Sequence, residues 1–498
     1  MLIDTMGVTI HDALERNCRT HPSKSFILAY DRAFTYEEAY RLSNGFARFL
    51  TASGVGKNDK ACLILPRVPE LVLAFLGMAK AGVIPIPVNY TVSPGEIKHF
   101  ISLVAPSVIV IHEKLLPVLD SEILLLRSIR IVVVGEDSHG HIPWEEASSP
   151  AVEKGGSDIG FNKIAYLNYT TGSSGTPKGA IATHANIYWN TRASVEAMEM
   201  TGDDVHLCMF ASFAHPHELF ARPLYTGGTI VLLEEINPKT IVKTINDKSV
   251  TCMMGLAPMF DMIASHCSHK EMESLRVAES GGMYTRPDII GNFKKYFGVP
   301  VLSVWGSTET TGIALANTPR AYRDDGSTGR VCPFYELRII DDEGNDVGDG
   351  EVGELVFRGE GVISGYYNST DFHVADGWYY SGDLGWKDEE GYLYFVERKS
   401  GLMKVAGLKV YPLQIEISLM AHHGIKEAAV IGVEDRLRGM VPKAYIVPRE
   451  GFDLTEEDVR AFCKGKMADY MIPKAVEIRS ELPKIGSGKI NKKALGGR

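Results

Sequence analysis

Tyr169-Thr170-Thr171-Gly172-Ser173-Ser174-Gly175-Thr176-Pro177-Lys178-Gly179 is the stretch on which the reading of this chain turns. Its eleven residues include three glycines, five serine or threonine hydroxyls, one proline and one lysine. It follows Ile164-Ala165-Tyr166-Leu167, an apolar run that reads as a buried strand. Glycine lets the backbone approach a ligand closely and exposes N–H donors. The hydroxyls add short donors and Lys178 adds a positive charge, so the loop suits a polyphosphate. A polar surface turn is the plain alternative. A Walker loop requires G-x-x-x-x-G-K-[ST]. Counting from Gly172, the fifth position on is Pro177, and Lys178 is followed by Gly179, so that pattern fails. Ile485-Gly486-Ser487-Gly488-Lys489-Ile490 also fails, for want of Ser or Thr after the lysine.

The wider composition narrows the class. A chain of 498 residues is long enough for about two to four domains. Its 45% apolar and 23% charged residues are those of a globular protein with sizeable cores. The net charge is −10, and no basic stripe tracks a phosphate backbone, which argues against nucleic acid as a partner. No apolar run approaches the roughly 18 residues of a spanning helix. Met1-Leu2-Ile3-Asp4-Thr5 lacks a basic region before an apolar core, and Gly496-Gly497-Arg498 carries no prenylation or peroxisomal signal. Seven cysteines, at 18, 62, 208, 252, 267, 332 and 463, form no C-x-x-C pair and suggest neither a disulfide framework nor zinc. The cytoplasm is the expected location.

Organisation follows from alternating patterns. Strands are expected at 61–65, 84–88 and 108–111, with helices at 69–80 and 93–103 between them. The rhythm returns after the opening stretch, with strands at 229–233, 250–255, 275–279 and 301–304 and helices at 238–247, 258–265 and 287–297. Such alternation predicts βαβ units and doubly wound, mostly parallel sheets. Ligands of such sheets sit at the strand ends, where Gly281-Gly282 and Trp305-Gly306-Ser307-Thr308-Glu309 fall. From about residue 326 short strands and tight turns predict a small β-rich subdomain reaching 398. The remaining 399–498 is expected to be a smaller, mobile α+β domain, beside a large N-terminal domain over 1–398.

Together these stretches resemble the adenylate-forming superfamily of acyl- and aryl-CoA synthetases, peptide-synthetase adenylation domains and luciferases. The likeness runs in family order from Phe34-Thr35-Tyr36 to Lys489. After the glycine- and hydroxyl-rich loop come Trp305-Gly306-Ser307-Thr308-Glu309, Gly353-Glu354-Leu355 with Gly365-Tyr366-Tyr367, and Gly377-Trp378-Tyr379-Tyr380-Ser381-Gly382-Asp383. Arg398 with Lys404-Val405-Ala406-Gly407, then Leu482-Pro483-Lys484 … Ser487-Gly488-Lys489, complete it.

The resemblance implies a role for each motif residue. Thr170, Thr171, Gly172, Ser173, Ser174, Gly175, Thr176 and Lys178 would hold the β- and γ-phosphates of ATP. Glu309 would ligate Mg²⁺ and Thr308 would contact the α-phosphate. Trp305, where the family usually has tyrosine, and Gly306 would border the nucleotide, the tryptophan offering a face to adenine. Gly281 and Gly282 would let adenine lie against the backbone. Asp383, with Arg398 nearby, would bind the ribose hydroxyls. Lys489 would be the cation at the α-phosphate as the carboxylate attacks. His215 would position the carboxylate or gate the thiol's path, and Lys404, Ala406 and Gly407 would guide a pantetheine thiol. The segment 211–217 lacks the aspartate that pairs with an α-ammonium, which points to an acid without an α-amino group.

One departure stands out. The family commonly has Arg-x-Lys-Asp or Arg-x-Asp-Asp at its hinge, and this chain has Arg398-Lys399-Ser400-Gly401. Glycine can absorb a large φ/ψ change, but the charge is missing. The implied activity is ligation of a small carboxylic acid to coenzyme A through an acyl-adenylate. Transfer to a carrier-protein pantetheine, or a nucleotide-binding protein with an inactive site, are the rival readings.

Overall fold

A computed structural model describes residues 7–30, 32–119, 128–151, 159–171, 177–266, 272–485 and 489–496. The chain divides into two compact units, Met1–Glu336 with Phe357–Gly377 and Leu337–Val356 with Trp378–Arg498. The architecture is mixed α/β, as the alternating patterns predict.

Local signals start the helices of the first unit. Thr35 and Glu38 form a reciprocal capping box before Tyr36–Ala52, and Ser93 and Glu96 do the same before Pro94–Val104. Pro69 opens Pro69–Ala81 from its first turn, and Gly82 ends it in the left-handed region. These helices flank a five-stranded parallel sheet ordered Ile84–Pro87, Lys60–Ile64, Val108–His112, Arg130–Val134 and Ile142–Pro143. A second sheet has nine strands. Its central run, Val301–Ser307, Val277–Ser280, Cys252–Gly255, Val205–Cys208 and Thr229–Leu232, is parallel throughout. Ser25–Ala29 extends it in parallel, and antiparallel strands close both edges. Helices Pro238–Asp247, Ala257–His266 and Pro287–Phe297 pack Ile241, Phe260, Ile290 and Phe293 onto one face, against Leu207 and Met253.

The strand ends of the two sheets are tied together by Arg67. Its half-buried guanidinium donates to the carbonyls of Leu233 (2.6 Å), Phe210 (3.1 Å) and Glu234 (3.0 Å). Ser212 Oγ returns a bond to Leu65 O at 2.7 Å. The loop that carries His215 is thus fixed from both sides.

The opening stretch takes a form the periodicity does not predict. Ile164–Thr171 is a strand, and Pro177–Thr183 pairs with it antiparallel, Thr171 opposite Pro177. Pro177, Lys178 and Gly179 are poor strand formers, so the second strand is imposed by its partner rather than by its own residues. Gly172, Ser173, Ser174, Gly175 and Thr176 lie outside the described residues, as do Gly486, Ser487 and Gly488.

In the second unit, Trp378–Lys387 pairs antiparallel with Leu393–Arg398, setting Asp383 opposite Arg398. Further on, Leu408–Val410, Met403–Val405, Gly439–Pro448 and Ile425–Asp435 form an ordered sheet, with Ala475–Ile478 parallel to Gly439–Pro448. Helices Pro412–Met420 and Glu456–Cys463 contribute Ile415, Leu419 and Val459 to its core. Among the described residues no helix is long and apolar enough to cross a membrane.

Candidate active site

The first unit gathers its chemistry-bearing residues at strand ends. Val301–Ser307 turns through Thr308–Thr311 into Gly312–Ala316, and this turn carries Thr308 and Glu309. Backbone and hydroxyl bonds stitch it. Ser307 N donates to Thr310 Oγ1 (2.9 Å), Thr310 Oγ1 donates to Gly312 O (2.7 Å), and Thr311 Oγ1 donates to Gly361 O (2.7 Å). Below it, buried Asn190 and Tyr335 donate to Thr310 O at 3.3 and 2.7 Å. Thr308 and Glu309 themselves are half-buried, held on a rigid support.

Tyr366 Oη donates to Glu309 Oε1 at 2.5 Å. The same tyrosine lies beside the opening hairpin, where Tyr367 N donates to Gly179 O (2.7 Å) and Ile181 N to Gly365 O (3.1 Å). Lys178 Nζ lies 5.8 Å from the Tyr366 ring centroid and 2.8 Å from Asp371 Oδ2. Lys178 and Glu309 are thereby both brought to Tyr366, the lysine to its ring and the carboxylate to its hydroxyl. The motif Gly365-Tyr366-Tyr367 is visible in the sequence, but its bridging role is not.

Gly281 follows the neighbouring strand. A side chain there would bring Cβ within 2.9 Å of Val304 Cγ2, and Gly282 has φ +78°. Bare backbone at this strand end is therefore required by packing as well as offered to a flat ligand. Gly306 is pressed still closer, 2.2 Å from Gly312 O to a Cβ built on it. Trp305 is 9% exposed and stacks one face on Phe357, with ring centroids 4.5 Å apart and 10° between planes.

His215 sits at the start of the turn Pro216–Leu219, half-buried, its ring 6.4 Å from that of His217. His217 is buried and its Nδ1 meets Tyr166 Oη at 2.8 Å. Burial, then the nearby Arg222 charge, holds the His217 pKa down to about 3. Next to it stands a buried ionic triad that the sequence reading passes over. Arg222 Nη1 donates to Glu279 Oε1 at 2.6 Å and Arg222 Nη2 lies 3.2 Å from Glu218 Oε2. Burial would lower the Arg222 pKa, but Glu279 and Glu218 more than offset it, and burial raises that of Glu279. The available signals were a Glu–Arg pair at i, i+4 and a lone glutamate inside the apolar strand Val277–Ser280.

The second unit holds a separate group. Arg398 Nε meets Asp383 Oδ1 at 2.6 Å, with Asp383 buried and Arg398 exposed. Ser381 donates to Leu355 O (2.6 Å) and accepts from Asp383 N (3.1 Å). Glu354 accepts from Gly382 N (3.1 Å) and from Lys399 Nζ (2.8 Å), which explains the Gly353-Glu354-Leu355 motif as a clamp on this strand. Lys489 is exposed at the surface, yet crowding by surrounding groups, then the charge of Arg398, lowers its pKa, and Asp383 opposes the shift. Lys404, Ala406 and Gly407 belong to a different place, the tight turn joining Met403–Val405 to Leu408–Val410. Ala406 and Gly407 have φ +49° and +85°, the pattern of a two-residue hairpin turn, and Ala406 N donates to Arg438 O at 2.9 Å.

Comparison with known proteins supplies the frame. Residues 14–367 match the family model of the AMP-binding enzymes, and residues 414–489 that of the AMP-binding enzyme C-terminal domain. The indoleacetate–CoA ligase of Aromatoleum aromaticum is 29% identical over 490 residues, covering 96% of each chain. The long-chain-fatty-acid–CoA ligase of Bacillus subtilis is 27% identical over 529 residues, covering 98% of this chain and 94% of its own. The crystal structure of an anthranilate CoA ligase with anthranoyl-AMP superimposes with a TM-score of 0.90 at 25% identity, over 99% of this chain and 97% of that one. With both models matched in order along a fold of this class, the chain belongs to the AMP-binding enzyme family.

Proposed function

We propose that this protein is an AMP-forming acid:CoA ligase. The carboxylate oxygen of the acid attacks the α-phosphorus of ATP, the bond to pyrophosphate breaks, and acyl-AMP forms. The thiol sulfur of coenzyme A then attacks the acyl carbon, loses its proton to solvent, and AMP departs with the bonding pair. Splitting one hard step into two through a mixed anhydride is the logic of covalent activation. The observation that carries the reading is likeness to CoA ligases over nearly the whole of both chains.

The residues suit these steps. Lys178, 19% exposed and paired with the exposed carboxylate of Asp371, can exchange it for phosphate together with the hydroxyls of the 170–176 loop. Glu309 offers a hard oxygen donor on a rigid turn, which fits a magnesium ion. When bound, magnesium spreads the charge of the leaving pyrophosphate. Thr308 lies beside Glu309, where it would donate to the α-phosphate. Gly281 and Gly282 give adenine a bare backbone, and the face of Trp305 away from Phe357 would border it. Asp383, oriented by Arg398, accepts from the ribose hydroxyls. Lys489 would place its cation against the charge that develops on the α-phosphate. His215 would orient the carboxylate.

The second step would need residues 399–498 to turn about Ser400 and Gly401, withdrawing Lys489 and presenting the Lys404–Gly407 turn to the pantetheine arm. The protein would act in the cytoplasm on a small carboxylic acid.

Acid-dependent ATP–pyrophosphate exchange over aryl, short-, medium- and long-chain acids, followed by thioester formation with CoA, tests the proposal. Exchange with some acid and CoA-dependent AMP release is expected. No exchange with any acid would overturn it, and exchange without a CoA thioester would favour a carrier-protein pantetheine as acceptor.

A further inference from the structure

The strand Leu393–Arg398 ends beside the hinge, and its last two side chains serve different partners. Arg398 meets Asp383, whereas Glu397 is buried and has no part in the steps proposed above. Glu397 Oε1 accepts from Arg398 N at 2.9 Å, a bond within its own strand end. Its Oε2 accepts from Leu413 N at 3.0 Å, on the far side of Lys399-Ser400-Gly401. We propose that Glu397 is a positioning residue, a latch that holds residues 399–498 in the arrangement for adenylation and releases them for thioester formation. This rests on the ligase reading above and its turn about Ser400 and Gly401.

The latch closes on a helix start that lacks a cap of its own. Pro412–Met420 begins after Tyr411, whose side chain accepts no bond from the first turn, and Pro412 brings no N–H. Leu413 N is the first donor of that turn, and a carboxylate there also meets the positive end of the helix dipole. Glu397 supplies the cap from across the hinge. Gly401 leaves room for it, because a Cβ built on that glycine would come within 3.1 Å of Glu397 Oε1. Asp342 and Lys409, 3.6 Å apart, also join the two sides of the hinge. Their side chains are 62% and 56% exposed, so that pair is screened and holds little.

The same helix holds the segment of Lys489. Glu416, one turn beyond Leu413, is buried, accepts from Val430 N at 2.6 Å and pairs with Lys492 Nζ at 2.7 Å. Lys492 opens the short helix Lys492–Leu495, and Leu495 O accepts from Tyr445 Oη at 2.8 Å. Lys489 stands three residues before Lys492 and feels the charges of Arg398 and Asp383, the pair that closes Glu397's own strand. A line of bonds thus runs from Glu397 through the helix and Glu416 to the segment of Lys489. Turning residues 399–498 breaks this line at one point, the bond from Leu413 N.

Two half-reactions read the latch. With adenylation in one arrangement and thioester formation in the other, the ratio of their rates follows the equilibrium between the two, whatever its starting value. Acid-dependent pyrophosphate exchange, and thioester formation from supplied acyl-AMP and CoA, are measured at saturating substrates on the intact chain, with folding checked by circular dichroism. Glu397→Ala should lower the ratio of exchange to thioester formation by about tenfold or more, the effect of a lost hydrogen bond to a charged group. Glu397→Asp keeps the charge but draws it back from Leu413 by one methylene. It should shift the ratio the same way, and it decides the outcome where the alanine variant does not fold. Glu397→Gln keeps an acceptor oxygen at full length and should stay within about threefold of wild type. A carboxylate that merely supports the strand end would raise KM for ATP and for acyl-AMP alike and leave the ratio unchanged. An unchanged ratio in the folded alanine and aspartate variants would overturn the latch and leave the ligase reading intact. A wild-type chain that exchanges with no acid would remove both.

Discussion

The surroundings of Glu309 and those of Lys489 solve the same problem, holding charge in place, by opposite means. Around Glu309 the partners are hydroxyls, amides and backbone groups, mostly buried: Thr310 and Thr311 within the turn, Asn190 and Tyr335 beneath it. Deeper still lies the Glu218–Arg222–Glu279 triad. In the second unit, the Arg398–Asp383 pair whose charges act on Lys489 and the Lys399–Glu354 pair next in sequence both meet water. Arg398 on Asp383 is 59% exposed, and Lys399 on Glu354 is 45% exposed. Buried polar bonds strengthen one another and resist exchange, whereas exposed ion pairs contribute little and trade partners readily. The contrast suits the proposed roles, a fixed platform for the nucleotide and a second region whose contacts would change between two half-reactions.

The largest effect should come from breaking the buried triad. Arg222→Leu leaves two carboxylates without their guanidinium at a site 1% exposed. Removal of one partner from such a buried pair destabilises by about 3–5 kcal/mol. Urea unfolding should show that loss in the midpoint. A change below about 1 kcal/mol would mean that water reaches the triad, and the contrast between the two regions would fail.

Next in size is Lys489→Ala. It should lower acid-dependent pyrophosphate exchange by about 100- to 1000-fold, the range for removing one stabilising donor at a developing charge. Thioester formation from supplied acyl-AMP should be largely spared. Equal loss in both assays would contradict two arrangements of residues 399–498.

The sequence made legible what is local or repeated. The helices beginning near Ser93 and Pro287 and the strand ends bearing Gly281 and Glu309 were readable from alternation. Long-range pairing was not. The strand Pro177–Thr183 exists because Ile164–Thr171 lies beside it, and nothing in Pro177-Lys178-Gly179 announces it. Arg67 bonds three carbonyls far along the chain, which no local pattern encodes. His215 and His217 look alike in sequence, two residues apart, yet one is half-buried and the other wholly enclosed with Tyr166. Burial separates them, and it is a property of the assembled core.

The same burial predicts how acid acts. Burial foremost holds His11, His206 and His217 down to about 3 and His184 to about 4, against an ordinary value near 6.5. Below about pH 6.5 the unfolded chain therefore takes up protons that the folded chain refuses. Stability should be full above that pH and fall toward pH 4, each histidine adding up to about 1.4 kcal/mol per pH unit to the slope. All four lie in the first unit, while the second has only His422 and His423, half-buried and exposed. Hydrogen exchange at pH 5 should thus loosen the first unit before the second. His184→Gln should flatten the pH dependence of the urea midpoint by one proton, and an unchanged slope would show that this histidine is already protonated in the fold.

The smallest effect should follow Lys399→Ala. Lys399 Nζ lies 2.8 Å from Glu354 and 3.3 Å from Asp342, and its pKa is raised first by the bond to Glu354. On geometry alone it looks as well paired as Arg222. With 45% of its side chain in water, however, the attraction is screened and ordering the side chain opposes it. Glu354 also keeps its bond from Gly382 N when the lysine is gone. The melting temperature should therefore stay within about 2 °C of wild type. The lysine immediately precedes Ser400 and Gly401, so any consequence should appear instead in the ratio of pyrophosphate exchange to thioester formation. A loss of more than about 5 °C would make this pair as fixed as the buried triad and erase the distinction between the two regions.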